Sequence, residues 1–237
     1  MKNYTLGLFL NLGESFTSLD GQAELMLKAN ILPYSRSFSR VYIFTYRKER
    51  FKLPANCFLI TPPFKLHRYL YGLLLPFIHR RLIARCDLLR CFQLAGTLPA
   101  AIAKLLYGSR FVFNYGYDYS AFAQIEGKSV RAKLFSWLKP IIPKLATGVI
   151  VKNKSLGIDS YYLPNGVDVN QFCPPKRKLH RRIKTILYVG RLEPQKNLTT
   201  LLIALAQVKT KVKIIMVGQG NQTQKLLNLA RQLKLNL

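Results

Sequence analysis

Acidic residues are scarce in this sequence. Ten Asp and Glu stand against 37 Lys and Arg, a formal net charge of +27. Such an imbalance attracts polyanions (nucleic acid, anionic lipid or phosphorylated small molecules) without choosing among them. No C-x-x-C occurs and no His pair has zinc spacing, which excludes the usual zinc sites. The cysteines Cys57, Cys86, Cys91 and Cys173 therefore read as buried free thiols in a reducing compartment. There is no D-x-D pair to hold a metal against a diphosphate, so no metal cofactor is expected. His67, His79 and His180 sit beside basic residues with no Ser or Asp constellation, which excludes a triad. The run "YGLLLPFI" at 71–78 is far short of the ~20 apolar residues of a membrane span. The N-terminal apolar stretch has no small-residue cleavage site and meets Glu14 early, so it reads as a strand rather than a signal peptide. A cytoplasmic protein is expected.

What is present is a globular pattern, 49% hydrophobic and 20% charged. Strand-like runs at 4–10, 41–46, 57–61, 88–94, 110–115 and 148–152 alternate with helical stretches at 21–31, 65–85, 97–107 and 119–138. Pro76 predicts a kink or break within 65–85. Alternation of this kind predicts an α/β fold with a parallel sheet. A second series follows the basic run "KRKLHRRIK" at 176–184, which reads as a solvated linker. Its strands are 185–190 and 212–218, and its helices 197–208 and 222–234. The expected organisation is a Rossmann-like domain over 1–162, a hinge and basic linker over 163–184, and the start of a second Rossmann-like domain over 185–237. So short a second series predicts an incomplete core.

Several stretches carry chemistry. In "ILYVGRLEPQKN", 186–197, a buried strand ends where Gly190 lets the backbone turn at the carboxyl edge of the sheet, the edge at which open α/β sheets bind ligands. Arg191 then stands at that edge, with Lys196 and Asn197 at the start of the next helix. Two cations and a helix N-terminus suit a phosphate. Gly218-x-Gly220 lacks a third glycine and reads as a tight βα loop. "LPNGVD" at 163–168 is a turn signal and reads as an inter-domain connector. The polar loop 11–21, with Ser15, Thr17, Ser18, Asp20 and Gly21, suits an anion, a sugar or a helix cap. Tyr115, Gly116 and Asp118 close a strand with groups that suit a sugar, although tyrosines there also suit core packing.

"YLPNGVDVNQF", then "ILYVGRLEPQKNLTTLLIALA", then "IIMVGQGN" resemble, in that order, the GT-B glycosyltransferases of family 4, also called group 1. The resemblance is specific over 162–220; over 1–152 only the βα pattern agrees. It implies two Rossmann-like domains, an acceptor on the N-terminal one and a nucleotide-sugar donor on the C-terminal one, with no metal. It also implies that Arg191 and Lys196, with Gly190, neutralise the donor diphosphate, and that Gly21 lies in a loop against the donor phosphates. Three departures stand out. Tyr115 occupies the place of the family's His. The segment 151–163 is short for the helix the family has there. The family's paired glutamates have no counterpart before Leu237, so a truncated C-terminal domain is expected. No catalytic base is assigned.

The functional expectation is sugar transfer from a nucleotide-sugar donor to a polysaccharide or lipid-linked acceptor. The basic, apolar stretch 64–85 adds an expected peripheral contact with an anionic membrane, on the inner face of the cell membrane; a core helix pair with basic outer faces is the other reading. An inactive remnant or partner-completed fragment is the alternative. Nucleic acid is the less favoured partner, because no RNA-binding aromatic motif or helix-turn-helix signature accompanies the charge.

Overall fold

In the computed structural model, which describes residues 3–19, 22–154, 159–170, 172–174 and 183–235, apolar strand runs line up in two parallel sheets. The first sheet contains β1 (Thr5–Phe9), β2 (Arg40–Phe44), β3 (Cys57–Ile60), β4 (Leu88–Cys91), β5 (Phe111–Tyr115), β6 (Gly148–Val151) and β7 (Tyr161–Tyr162). Its order is β3-β2-β1-β4-β5-β6-β7, so the chain reverses its direction of winding between β1 and β4. Loops leaving adjacent strands diverge at such a point and open a crevice at the carboxyl edge. The two-residue β7 was not legible in the sequence; its pairing of Ile150 with Tyr161 and Val151 with Tyr162 is supplied by the neighbouring strand.

Helices cover both faces, as a parallel sheet requires. One face packs Phe9, Leu89, Cys91, Phe111, Phe113 and Val149 against Tyr71 and Leu75 of α3 (Arg68–Ile78) and Ala100 and Ala103 of α5 (Leu98–Tyr107). The other packs Leu6, Leu8, Val41 and Ile43 against Ile31 and the partly buried Tyr34 and Phe38. That second layer is α1 (Ala23–Met26), a π-turn (Leu27–Ile31) and α2 (Leu32–Ser37), so the helical stretch runs past its expected end at 31. Pro33 follows the π-turn, whose wider ring relieves the clash between a proline ring and the carbonyl four residues before it. On β5 and β6 the second face is only half buried.

The break expected at Pro76 falls three residues later. Helix α3 continues to Ile78, and α4 (Arg80–Ile83) begins beyond His79. The expected helix over 119–138 is two helices, α6 (Tyr119–Ile125) and α7 (Ser129–Leu145), with Gly127 between them at φ +73°. Cys57 and Cys91 are buried thiols as expected, whereas Cys173 is exposed. The basic run lies outside the described residues except for 183 and 184, and so does Gly21.

The second sheet pairs β8 (Lys184–Val189) with β9 (Val212–Val217). Helices α8 (Leu198–Ala206) and α9 (Thr223–Gln232) cover one side through Leu198, Leu202, Leu205, Ile214 and Leu226. Leu187, Val189 and Val217 remain exposed. Internal contacts divide the chain into two units, Met1–Tyr119 with Lys133–Asn165, and Ser120–Ala132 with Gly166–Leu237.

His79 is packed against Phe44 and bonded through Nε2 to the Tyr71 hydroxyl at 2.8 Å. Burial holds its imidazole below the ordinary histidine pKa. A group whose folded pKa is depressed contributes stability above its unfolded pKa, about 6.5 for histidine, and loses it as pH falls from there through the depressed folded value. The melting temperature should therefore fall as pH drops from about 7 to 5. His79→Gln should flatten that slope; parallel slopes for the two proteins would rule His79 out as the source.

Candidate functional site

The sequence around Gly190 builds a tightly laced strand edge. The Gly190 N–H donates to the Val217 carbonyl at 3.0 Å, extending the β8–β9 ladder by one residue. Beyond it the two loops bond backbone to backbone: Leu192 N–H to Gln219 O at 2.9 Å, and Gln222 N–H to Leu192 O at 3.0 Å. So close an approach leaves no room for side chains. A Cβ on Gly218 would strike the Gly190 carbonyl oxygen, and one on Gly220 the Leu192 carbonyl oxygen. Gly218-x-Gly220 is thus a tight βα loop seated on its neighbour.

This lacing positions Arg191. The Tyr188 hydroxyl donates to the Arg191 carbonyl at 2.8 Å, and the buried Leu192 anchors the next residue in the core. The Arg191 side chain is exposed and has no ion-pair partner among the described residues. A 3-10 turn (Pro194–Lys196) then brings Lys196, also exposed and unpaired among the described residues, to the foot of α8. The expected free donors at Lys196 and Asn197 are taken: their N–H groups bond to Glu193 O at 2.9 Å and Pro194 O at 3.0 Å. Asn197 caps α8 from a left-handed conformation, φ +48°, so the free donors begin at Leu198. The arrangement places two exposed cations on one loop at a sheet's carboxyl edge.

In the first unit the candidate residues are arranged differently. Tyr115 is 1% exposed, and its ring meets Phe113 and Tyr119 edge-on at 6.3 Å and 5.4 Å. Burial, and secondarily Asp118, push its hydroxyl up to about 12. Its ring is thus core packing and offers no face to a sugar; the exposed ring of this loop is Tyr117, over Tyr119 at 4.2 Å. Asp118 accepts from Lys139 Nζ at 2.9 Å, tying the loop to α7. Gly116 has open space around it.

The loop after β1 holds an anion of its own. Phe16 and Thr17 donate their N–H groups to the two oxygens of the Glu49 carboxylate, each at 3.0 Å. Ser15 and Ser18 close the turn through the Ser15 N–H to Ser18 Oγ bond at 2.8 Å. The anion or sugar contact expected of these residues is therefore filled by the chain itself, and the cap of α1 is Gln22. At the winding reversal a Cβ on Gly96 would lie 2.8 Å from the Leu10 carbonyl oxygen, so the β4 loop rests directly on the β1 loop. Among the described residues no three His, Cys, Asp or Glu side chains converge as a metal site. Sequence reasoning missed Tyr188 and Glu49. The signal for Glu49 was its position as the acid within the basic stretch "RKER" at 47–50.

Residues 172–236 match the family described as glycosyl transferases group 1. The phosphatidyl-myo-inositol mannosyltransferase of Mycobacterium tuberculosis is 34% identical over 100 residues, covering 37% of this chain and 26% of that protein. The match therefore spans about a quarter of that relative's length. Sucrose-phosphate synthase from Thermosynechococcus elongatus superposes with a TM-score of 0.68 at 16% identity, over 99% of this chain and 69% of that one. The Anabaena protein HepE, solved in complex with UDP and glucose, superposes with a TM-score of 0.65 at 20% identity, over 98% and 67%. Residues 172–236 thus match the glycosyl transferases group 1, and the chain carries the α/β fold of the GT-B glycosyltransferases.

Proposed function

We propose that this chain acts in glycosyl transfer, binding a nucleotide-sugar donor through its diphosphate and passing the sugar to a glycan or lipid-linked acceptor. The observation that carries this reading is the Gly190–Arg191 turn, laced to the Gly218–Gly220 loop and presenting Arg191 and Lys196 without counter-ions among the described residues. In the reaction the bond between the sugar's anomeric carbon and the diphosphate oxygen breaks, and a bond to an acceptor oxygen forms. Negative charge grows on the leaving diphosphate, where positioned cations stabilise it. Arg191 and Lys196 supply that neutralisation, so the proposed reaction needs no metal. The stretch 163–184 is the proposed hinge. The phosphatidyl-myo-inositol mannosyltransferase relative favours a lipid acceptor.

A lipid acceptor requires access to a membrane surface. Helix α3 exposes Leu70, Leu73 and Phe77, the last at 54%, and Arg80 and Arg81 follow at once. Among the described residues no helix is long and apolar enough to cross a membrane. We propose that the α3–α4 surface docks peripherally on anionic lipid, each Lys or Arg near it contributing ~1 kcal/mol.

Two measurements test these readings. Titration calorimetry with a panel of nucleoside diphosphates, UDP among them, should show binding that Arg191→Gln and Lys196→Gln each weaken about 10- to 100-fold, matching the loss of one charge-assisted bond. Melting temperatures should stay within about 1 °C, since both side chains are exposed. EDTA should leave binding and turnover unchanged. Equal affinity in all three proteins would remove the clamp. Separately, the protein should co-sediment with vesicles containing anionic lipid, and Leu73→Asp with Phe77→Asp should abolish this. Pelleting that ignores lipid charge would eliminate the docking surface.

A further inference from the structure

Arg90 is a charged residue inside a buried strand. It is 8% exposed on β4 and uses neutral acceptors only. Nη2 donates to Asn114 Oδ1 on β5 at 2.7 Å, Nη1 to the Cys91 carbonyl at 3.0 Å, and Nε to the Tyr34 hydroxyl at 3.3 Å. Four described carboxylates of this unit are engaged elsewhere. Glu14 accepts from Asn11, Glu49 from Phe16 and Thr17, Asp87 from the Thr5 N–H, and Asp118 from Lys139. No described carboxylate pairs with Arg90.

A second cation lies beside it. Asn114 pairs in register with Ile150 of β6, and Lys152 follows directly on the end of that strand at Val151, close enough for Arg90 to act on its charge. Burial first, and the Arg90 guanidinium second, disfavour the charged form of Lys152. A buried guanidinium without a counter-ion is costly, and a neighbouring ammonium adds to that cost. A bound dianion removes both penalties. Arg90 has five N–H donors, of which three are used here, and Asn114, with its oxygen turned to Arg90, keeps its amide N–H groups for a ligand.

We propose that Arg90, Asn114 and Lys152 form a binding site for a dianionic phosphoryl group at the half-buried face of β4–β6. It lies in the first unit and uses none of the residues of the donor clamp. Arg90 and Asn114 supply directed hydrogen bonds, and Lys152 supplies charge.

Thermal unfolding of the full chain tests this, with inorganic phosphate and glycerol phosphate as probes and ionic strength held constant with sodium chloride. Wild type should show a saturable rise in melting temperature of about 2–5 °C. The Arg191→Gln, Lys196→Gln double variant should keep that rise. Lys152→Gln, which removes a half-buried ammonium that repels Arg90, should melt at or slightly above wild type without phosphate and lose most of the rise with it. Arg90→Lys, which retains charge without the directed donors, should reduce it. A response to inorganic phosphate means that free phosphate suffices; a response to glycerol phosphate alone assigns the site to a phosphate ester. The proposal falls if neither probe stabilises wild type, if chloride alone reproduces the rise, if Lys152→Gln retains it in full, or if the double variant loses it.

Discussion

Ten carboxylates cannot neutralise 37 cations, and much of the arrangement of this protein follows from that shortage. Several of the acids hold backbone in place. Glu49 gathers the N–H groups of Phe16 and Thr17, and Asp87 takes the Thr5 N–H at the start of β1. Cations are consequently left to water or to anions brought from outside. Arg191 and Lys196 stand exposed at a sheet edge, where water screens them until a ligand arrives. Arg90 is buried among neutral acceptors, where screening is weak and an external anion would count for more.

The second constraint is backbone proximity at the carboxyl edges of the strands. Gly96 against the Leu10 carbonyl in the first sheet, and Gly218 against the Gly190 carbonyl in the second, bring neighbouring loops into direct contact. A loop held this way has few alternative backbone conformations, so the points from which its side chains project are fixed. Tyr188 strengthens the effect by bonding to the Arg191 carbonyl. In the proposed reaction, charge held at this edge would stabilise the departing diphosphate.

Much of the fold was legible in the sequence because its signals are local. The alternation of apolar runs with helical stretches gave the strands of both sheets, apart from β7, to within a few residues. Boundaries shifted where a neighbouring residue altered the cost of a turn: the π-turn before Pro33 let its helix run to Ser37, and Pro76 was tolerated to the end of α3. Site residues were less legible. Tyr115 has the composition of a sugar platform, yet its place in the alternation of β5 turns it into the core beside Phe113. The polar loop after β1 looked ready for an anion, and Glu49 already fills it.

By itself the sequence determined the parallel α/β architecture and the pairing of Gly190–Arg191 with Lys196 at a strand edge, because periodicity, glycine placement and proline placement act within a few residues. Only the tertiary structure decided which cations keep a free charge and which polar groups are already satisfied. Those outcomes depend on residues far apart in the chain, as when Glu49 meets Phe16 and Thr17, or Arg90 meets Tyr34 and Asn114. Burial then fixes their consequence: the same guanidinium is a solvated charge at position 191 and an unneutralised one at position 90.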